Sequence, residues 1–190
     1  TYGGQEALMI FEDVFVPNDM LFMNGETEFA GLLVDRFASY HRQSYGGCKV
    51  GNGDVAIGAA ASIAECNGVA RASHIKDKIV EMNHLNETLF ACGIACSANG
   101  KKLAAGNYFV DALLANICKQ NVTRMPYEIA RILQDIAGGL MVTLPSAKDW
   151  LNPETAGILK KYLAGADGMS TYERVRLLRL IENLTMGRGA

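Results

Sequence analysis

The sequence has no apolar run that approaches the roughly 20 residues needed to cross a bilayer, so we predict no membrane span. Charge of one sign is also scarce, because 18 Lys and Arg against 20 Asp and Glu give a formal net charge of -2. Such a balance creates no field that attracts a polyanion, which disfavours nucleic acid as a partner. The first residues have no Met, no basic stretch and no apolar stretch, so they do not match a signal peptide.

Cysteine is sparse and odd in number, with five residues spread through sequence of helical character. A secreted disulfide framework is denser in cysteine and usually contains an even count. We therefore predict reduced thiols and a cytoplasmic location, with most of the thiols buried as small apolar groups.

Length and hydrophobicity allow a real core. The chain has 190 residues, of which 49% are hydrophobic and 20% are charged. These values suit one domain, or one substantial piece of a larger protein, and they argue against global disorder. No internal repeat or low-complexity linker interrupts it.

The order of apolar residues predicts one strand followed by helices. Residues 7–16 are short, apolar and partly β-branched, and they stop at Pro17, as a strand does. Beyond that proline, apolar residues recur every three or four positions, which is the helical period. The predicted fold class is mainly α, a helical bundle preceded by one strand. Helices are predicted over about 28–44 and 54–65, from a cap at Ser73 to Asn99-Gly100, over about 108–122, 126–140 and 153–164, and from a capping box of Ser170 and Glu173 onward.

The stretch from His41 to Gly53 concentrates the side chains that could act in catalysis or bind a metal. We predict that Gly46-Gly47 ends a helix and lets the backbone turn sharply, so that His41 and Cys48 converge. An imidazole and a thiolate could then both bind a metal. Spacing alone favours a plainer interpretation, a polar helix end beside a buried cysteine, because two ligands do not make a closed site.

A resemblance over a longer part of the sequence favours the metal site over the plainer interpretation. The string His-Arg-Gln-Ser-Tyr-Gly-Gly-Cys-Lys over 41–49 closely resembles the 4-hydroxybutyryl-CoA dehydratase family. Further strings with the same resemblance cover 4–7, 11–17, 50–58, 72–78, 84–89, 119–124 and 135–142. The resemblance implies the acyl-CoA dehydrogenase architecture of helical domain, β domain and C-terminal helical bundle. Residues 1–24 would be the end of the β domain with a linker, and residues 25–190 the helical bundle.

The resemblance also implies two cofactors, FAD and a 4Fe-4S cluster held by three cysteines and one histidine. His41 and Cys48 would be two of those four ligands, and the others belong to a Cys-x-x-x-Cys element of the N-terminal domain. Cys92 and Cys96 have the same spacing. We reject them as ligands because they lie on the apolar stripe of a long helix, where core packing explains them.

The resemblance implies that the full-length protein is a hydro-lyase, which dehydrates 4-hydroxybutyryl-CoA to crotonyl-CoA by a radical mechanism and also isomerises vinylacetyl-CoA. This chain alone would be inactive. His41 would also be a candidate base, and Tyr45 would hydrogen-bond substrate or donate a proton. Lys49 would place a cation beside the cluster or an acyl oxyanion, and Glu6 would position the hydroxyl. Each also has an ordinary structural explanation, as a helix-end histidine, a packed aromatic ring, a surface lysine and a strand-edge charge.

For FAD, the family likeness implies that Gln134, Gly138 and Gly139 meet the dinucleotide of a neighbouring subunit in a homotetramer, and that Arg42 contacts a flavin phosphate. Tight helix crossing would explain the two glycines equally well. We assign no ligand role to His74 or His84. Two alternatives stay open: a flavin-dependent hydroxylase of the 4-hydroxyphenylacetate type, and a non-catalytic helical oligomerisation domain.

Overall fold

A computed structural model of the chain describes residues 7–166 and 168–187. Helices dominate these residues: α1 (Ala30–Cys66), α2 (Ser73–Ala98), α3 (Ala112–Val122), α4 (Met125–Ala137), α5 (Ala147–Leu151), α6 (Pro153–Tyr162) and α7 (Thr171–Met186). Short 3-10 turns cover Asn18–Met20, Thr27–Phe29 and Gly139–Val142, and strands β1 (Lys101–Lys102) and β2 (Tyr108–Phe109) form a small hairpin. The mainly α prediction is therefore confirmed. No helix in these ranges is both long and apolar enough to span a bilayer.

The main core lies where the second half of α1 packs against α2, α4 and α7. Ala59, Ala60 and Ala64 are buried along α1, and these small side chains let the neighbouring helices approach closely. Larger side chains from the other helices fill the remaining space, among them Met82 and Leu133. This core fixes α1 as the central helix of the bundle.

A second, smaller cluster lies nearer the middle of α1. Val50 of α1 packs with Leu89 of α2 and with Cys118 and Val122 of α3. Tyr45 packs against the edge of this cluster. The side chains from 41 to 49 are thereby carried on a helix that two other helices hold in place.

The strand predicted for residues 7–16 is not formed among the described residues. These ten residues are exposed and have no assigned strand pairing. A strand is stable only when its backbone N–H and C=O groups pair with a neighbour, and the two-stranded sheet of the described chain is made by 101–102 and 108–109 instead. The apolar residues of 7–16 therefore pair with no neighbouring strand in the described part of the chain.

The predicted helix end at Gly46-Gly47 is wrong, because α1 runs without interruption through both residues. Gly46 is buried where α1 crosses α2, and a Cβ placed on it would lie 2.5 Å from the Cα of Gly93. A glycine inside a helix costs up to about 1 kcal/mol in propensity. Close packing of the two helices offsets that cost, so Gly46 marks a helix crossing and not a turn.

The capping box predicted at the start of α7 is confirmed. The Ser170 hydroxyl accepts from the Glu173 N–H at 3.2 Å, and the Glu173 carboxylate accepts from the Ser170 N–H at 3.2 Å. The Ser170 hydroxyl also donates to the Glu173 carboxylate at 2.7 Å, and this hydrogen bond, together with the one from the Ser170 N–H, holds the pKa of Glu173 below its ordinary value. The ionised carboxylate therefore stabilises the folded state at neutral pH, and this contribution is lost as the pH falls through that lowered pKa.

We expect Ser170→Ala to lower the free energy of unfolding by about 1 kcal/mol, because it removes the acceptor for an otherwise unpaired helical N–H. Ser146→Ala is the matched control, since Ser146 and Asp149 form the same box on α5, a helix of only 5 residues. Thermal denaturation followed by circular dichroism measures both. An equal or larger loss in the control would contradict the prediction.

Candidate functional site

His41, Tyr45 and Cys48 lie on one face of α1. The helix advances about 100° per residue, so positions four and seven residues beyond His41 point within roughly 60° of one another. The same positions are spread over about 10 Å along the axis. The side chains predicted to converge at a turn therefore face the same way on a straight helix, two turns apart.

The His41 imidazole is fixed by two aromatic neighbours. Its Nε2 is 2.7 Å from the Tyr45 hydroxyl oxygen, and the two rings meet edge to face with centroids 5.0 Å apart. Phe37 stacks on the other side, with its centroid 5.8 Å from that of the imidazole. The hydrogen bond uses Nε2, which leaves Nδ1 for a further partner. The imidazole itself is exposed.

Tyr45 is held from a second direction by α3. The Nζ of Lys119 lies 4.7 Å from the centroid of the Tyr45 ring, within the range of a cation–π contact. The preceding residue, Cys118, is fully buried in the cluster on which Tyr45 packs. Sequence reasoning did not find Lys119, although it begins one of the strings that carry the family resemblance.

Two neighbours on α1 connect this face to the other helices. The Arg42 guanidinium donates a hydrogen bond to the Asn116 side-chain oxygen on α3. The Gln43 amide donates to the Ser97 hydroxyl on α2 at 2.8 Å. Arg42, predicted to contact a flavin phosphate, is thus already engaged with α3.

Cys48 and Lys49 are exposed, and Cys48 is a free thiol. Within 7–166 and 168–187, no group of three or more His, Cys, Asp or Glu side chains is arranged to hold a metal. His41 and Cys48 fit an iron–sulfur cluster as half of a four-ligand set, since both face one side of α1 and both donor types suit iron. Glu6 lies outside the described residues.

The other four cysteines lie in the interior, as predicted for Cys92 and Cys96. Cys66, Cys96 and Cys118 are buried, and Cys92 is partly buried. Burial raises the pKa of Cys92, Cys96 and Cys118, most for Cys118, whose pKa is raised to about 11. These thiols are protonated at neutral pH and poorly suited to act as nucleophiles or metal ligands.

We expect Cys118 to react with iodoacetamide at least about 100-fold more slowly at pH 8 than the same residue in unfolded protein. The side chain has no exposed surface, so the reagent reaches it only when the packing opens, and burial also raises its pKa to about 11. Peptide-resolved mass spectrometry measures the rate, with urea-unfolded protein as control. A rate close to that of the unfolded protein would contradict the burial of this thiol.

The residues predicted to meet FAD lie elsewhere in the bundle. Gln134 is near the end of α4, which packs on the main core, and Gly138 and Gly139 follow it. Lys78 of α2 pairs with Asp135 at 2.6 Å, and this contact holds the pKa of Asp135 below its ordinary value. The helix end is therefore tied to α2.

Gly138 has the positive φ of +77° that favours glycine, and a Cβ on either glycine would meet nothing within 4 Å. The backbone there is open to a ligand. Gly138 caps the C-terminus of α4, however, where the helix dipole is negative, so the dipole would not attract a pyrophosphate. His74 and His84, for which no ligand role is predicted, are exposed.

Comparison with known proteins identifies the class. The sequence pattern of the HpaB family, described as 4-hydroxyphenylacetate 3-hydroxylase C terminal, matches residues 30–190. The chain belongs to this family. The matched region begins where α1 begins and includes every predicted site residue except Glu6.

Particular relatives divide into two groups. The chain is 57% identical over its whole length to the 4-hydroxybutyryl-CoA dehydratase/vinylacetyl-CoA-Δ-isomerase of Clostridium aminobutyricum. It superimposes on an oxygen-tolerant archaeal 4-hydroxybutyryl-CoA dehydratase from N. maritimus with a TM-score of 0.92, at 61% identity over 94% of this chain. This agrees with the resemblance stated above.

The second group is more distant. The oxygenase component of 4-hydroxyphenylacetate 3-monooxygenase from Thermus thermophilus is 29% identical over 97% of this chain. An HpaB oxygenase structure in complex with FAD and 4-hydroxyphenylacetate superimposes with a TM-score of 0.82, at 28% identity over 94% of this chain. The chain spans only part of these relatives, 40% and 39% of the two sequences and 36% and 38% of the two structures.

Proposed function

We propose that the full-length protein dehydrates 4-hydroxybutyryl-CoA to crotonyl-CoA and isomerises vinylacetyl-CoA. One observation carries the proposal: His41, Tyr45 and Cys48 share a face of α1, with Tyr45 bonded to His41, in a chain 57% identical to a dehydratase of that name. A histidine and a cysteine on one face of a helix suit an iron site, because both donor types bind iron.

The chain's own residues would move and hold protons. The Tyr45 hydroxyl is 2.7 Å from the His41 Nε2, so a proton can pass between phenol and imidazole without rearrangement. The exposed imidazole could take a proton from an acyl-CoA placed against this face while its Nδ1 is not bound to iron, because iron on one ring nitrogen and Tyr45 on the other leave no free lone pair. Lys49, also exposed, would bring a positive charge toward the acyl oxygen, where negative charge develops. Glu6 would position the hydroxyl of the substrate.

Two cofactors belong to the proposal. His41 and Cys48 would hold a 4Fe-4S cluster together with two cysteines from another part of the full-length protein. Gln134, Gly138 and Gly139 would meet FAD by backbone and amide contacts, and Arg42 would contact a flavin phosphate if it releases Asn116. When bound, the cluster supplies a Lewis acid and the flavin supplies one-electron chemistry.

We also propose that the protein is a cytoplasmic homotetramer. Free thiols at Cys48, Cys66, Cys92, Cys96 and Cys118 suit a reducing compartment. The family resemblance carries the tetramer, in which the segment 134–139 would face the FAD of a neighbouring subunit. Light scattering after size-exclusion chromatography measures the assembly.

A second candidate is a flavin-dependent hydroxylase, because the family pattern over residues 30–190 is that of a 4-hydroxyphenylacetate hydroxylase domain. The experiment compares both reactions in full-length protein purified without oxygen. The dehydratase proposal predicts crotonyl-CoA from 4-hydroxybutyryl-CoA, about four iron atoms per subunit and broad visible absorption. Hydroxylation of 4-hydroxyphenylacetate by an iron-free flavoprotein would overturn it.

A further inference from the structure

The contact between Lys119 and Tyr45 has no part in the function proposed so far. Lys119 is partly buried on α3, and its Nζ lies 4.7 Å from the Tyr45 ring centroid. A lysine near a helix surface normally extends its ammonium group into water. The ion pairs found in the described ranges join Lys78 to Asp135, Arg131 to Glu128 and Arg179 to Glu182, so Lys119 takes part in none of them.

The ring of Tyr45 is constrained on three sides. The ammonium of Lys119 lies over the ring, the Val50–Leu89–Cys118–Val122 cluster packs against the residue, and the hydroxyl meets the His41 Nε2 at 2.7 Å. A tyrosine side chain has two rotatable bonds. Rotation about Cα–Cβ swings the hydroxyl through several ångströms, whereas rotation about Cβ–Cγ leaves the hydroxyl oxygen on its axis. A contact on the face of the ring resists the first rotation and so keeps the hydroxyl at the imidazole.

We propose that Lys119 is a positioning residue, which holds the Tyr45 ring by a cation–π contact and so keeps the tyrosine hydroxyl on His41. The contact joins α3 to α1, and the buried Cys118 thiol beside Lys119 fixes where the lysine leaves its helix. The functional consequence rests on the proposed dehydratase activity, whereas the positioning itself does not.

The test compares Lys119→Met with Lys119→Arg in the full-length protein. Methionine keeps an unbranched side chain but removes the charge, and arginine keeps a cation that stacks well on aromatic rings. We expect Lys119→Met to lower kcat about tenfold with KM changed less than about twofold, because a misplaced proton-transfer group affects the chemical step. Lys119→Arg should retain most of the activity.

Two further measurements separate positioning from folding. In a Tyr45→Phe background, Lys119→Met should cause no additional loss of kcat, because the two residues act as one unit. In protein labelled with 3-fluorotyrosine, the Tyr45 resonance, assigned with Tyr45→Phe, should shift in Lys119→Met and stay within the wild-type line in Lys119→Arg.

The outcomes distinguish the two proposals. A shifted fluorine resonance in a protein without dehydratase activity would support the positioning role and reject the proposed function. An unshifted resonance, or additive losses of kcat in the double variant, would overturn the positioning role and leave the dehydratase intact.

Discussion

Gly46→Ala is expected to destabilise the protein by about 2 kcal/mol, although alanine is the better helix former. The new methyl group would lie 2.5 Å from the Gly93 Cα and 3.1 Å from its N, and both are backbone atoms that cannot move without separating α1 from α2. Overpacking of this kind typically costs 1–3 kcal/mol, and the propensity gain of up to about 1 kcal/mol offsets only part of it. Thermal or urea denaturation of the full-length protein measures the change.

Gly47→Ala is the matched control, one residue further along the same helix. It is exposed, and a Cβ there would meet nothing within 4 Å, so we expect it to be neutral or to stabilise by up to about 1 kcal/mol. Opposite signs at adjacent glycines would identify the helix crossing as the cause. If both variants destabilise equally, the close contact with Gly93 is not what Gly46 is required for.

Activity should follow stability at this position. Tyr45 precedes Gly46 directly, and Cys48 follows it by two residues, so a shift of α1 away from α2 moves the candidate site relative to α3. The Lys119–Tyr45 contact and the Arg42–Asn116 hydrogen bond both join α1 to α3. The glycine crossing thus connects the packing of the bundle to the geometry of its polar face.

Local signals predicted much of the fold. The long helix predicted between Ser73 and Asn99-Gly100 is α2, although its N-cap is Ala72 and not the predicted Ser73. Pro126 falls in the first turn of α4, and Ser170 with Glu173 starts α7. These features depend on residues within a few positions of one another, namely caps, prolines and the helical period. They can be identified without knowing what the helix packs against.

The errors occurred where the partner is distant in sequence. Gly46 suggests a break until Gly93 is known to lie against it, and Gly53 is similar, because a Cβ there would meet the buried Asn86 side chain at 2.0 Å. The strand predicted for 7–16 likewise depends on a neighbour that the described chain does not supply. The period of the apolar residues identifies which face of a helix or strand is buried, but not which other part of the chain packs against that face.

The same limit applies to the site. His41, Tyr45 and Cys48 could be placed together from sequence because one helix carries all three. Lys119 could not, since the helices it connects are far apart in the chain, as the Arg42–Asn116 pair with its separation of 74 residues illustrates. Only the packing of α3 on α1 brings the Lys119 ammonium group to the Tyr45 ring.

Cys48→Ser is expected to have the largest effect on activity, a loss of at least about 100-fold in crotonyl-CoA formation together with a loss of bound iron. A serine hydroxyl is a far poorer ligand for iron–sulfur clusters than a thiolate. Flavin content should stay close to wild type, because the residues proposed to meet FAD lie at the end of α4, against the other core cluster. Iron analysis and flavin absorbance of anaerobically purified, full-length protein measure the two cofactors separately.

Two matched controls make this result specific. Cys92→Ala alters a partly buried thiol that packs in the core, and His84→Gln alters an exposed imidazole with no proposed role, so both should keep their iron. His41→Gln should lose iron as Cys48→Ser does, because two donors on one helix face serve one cluster. Full iron in both site variants would show that the shared face of α1 does not bind a cluster. The dehydratase proposal would then lose the observation that separates it from a hydroxylase, since the fold is common to both.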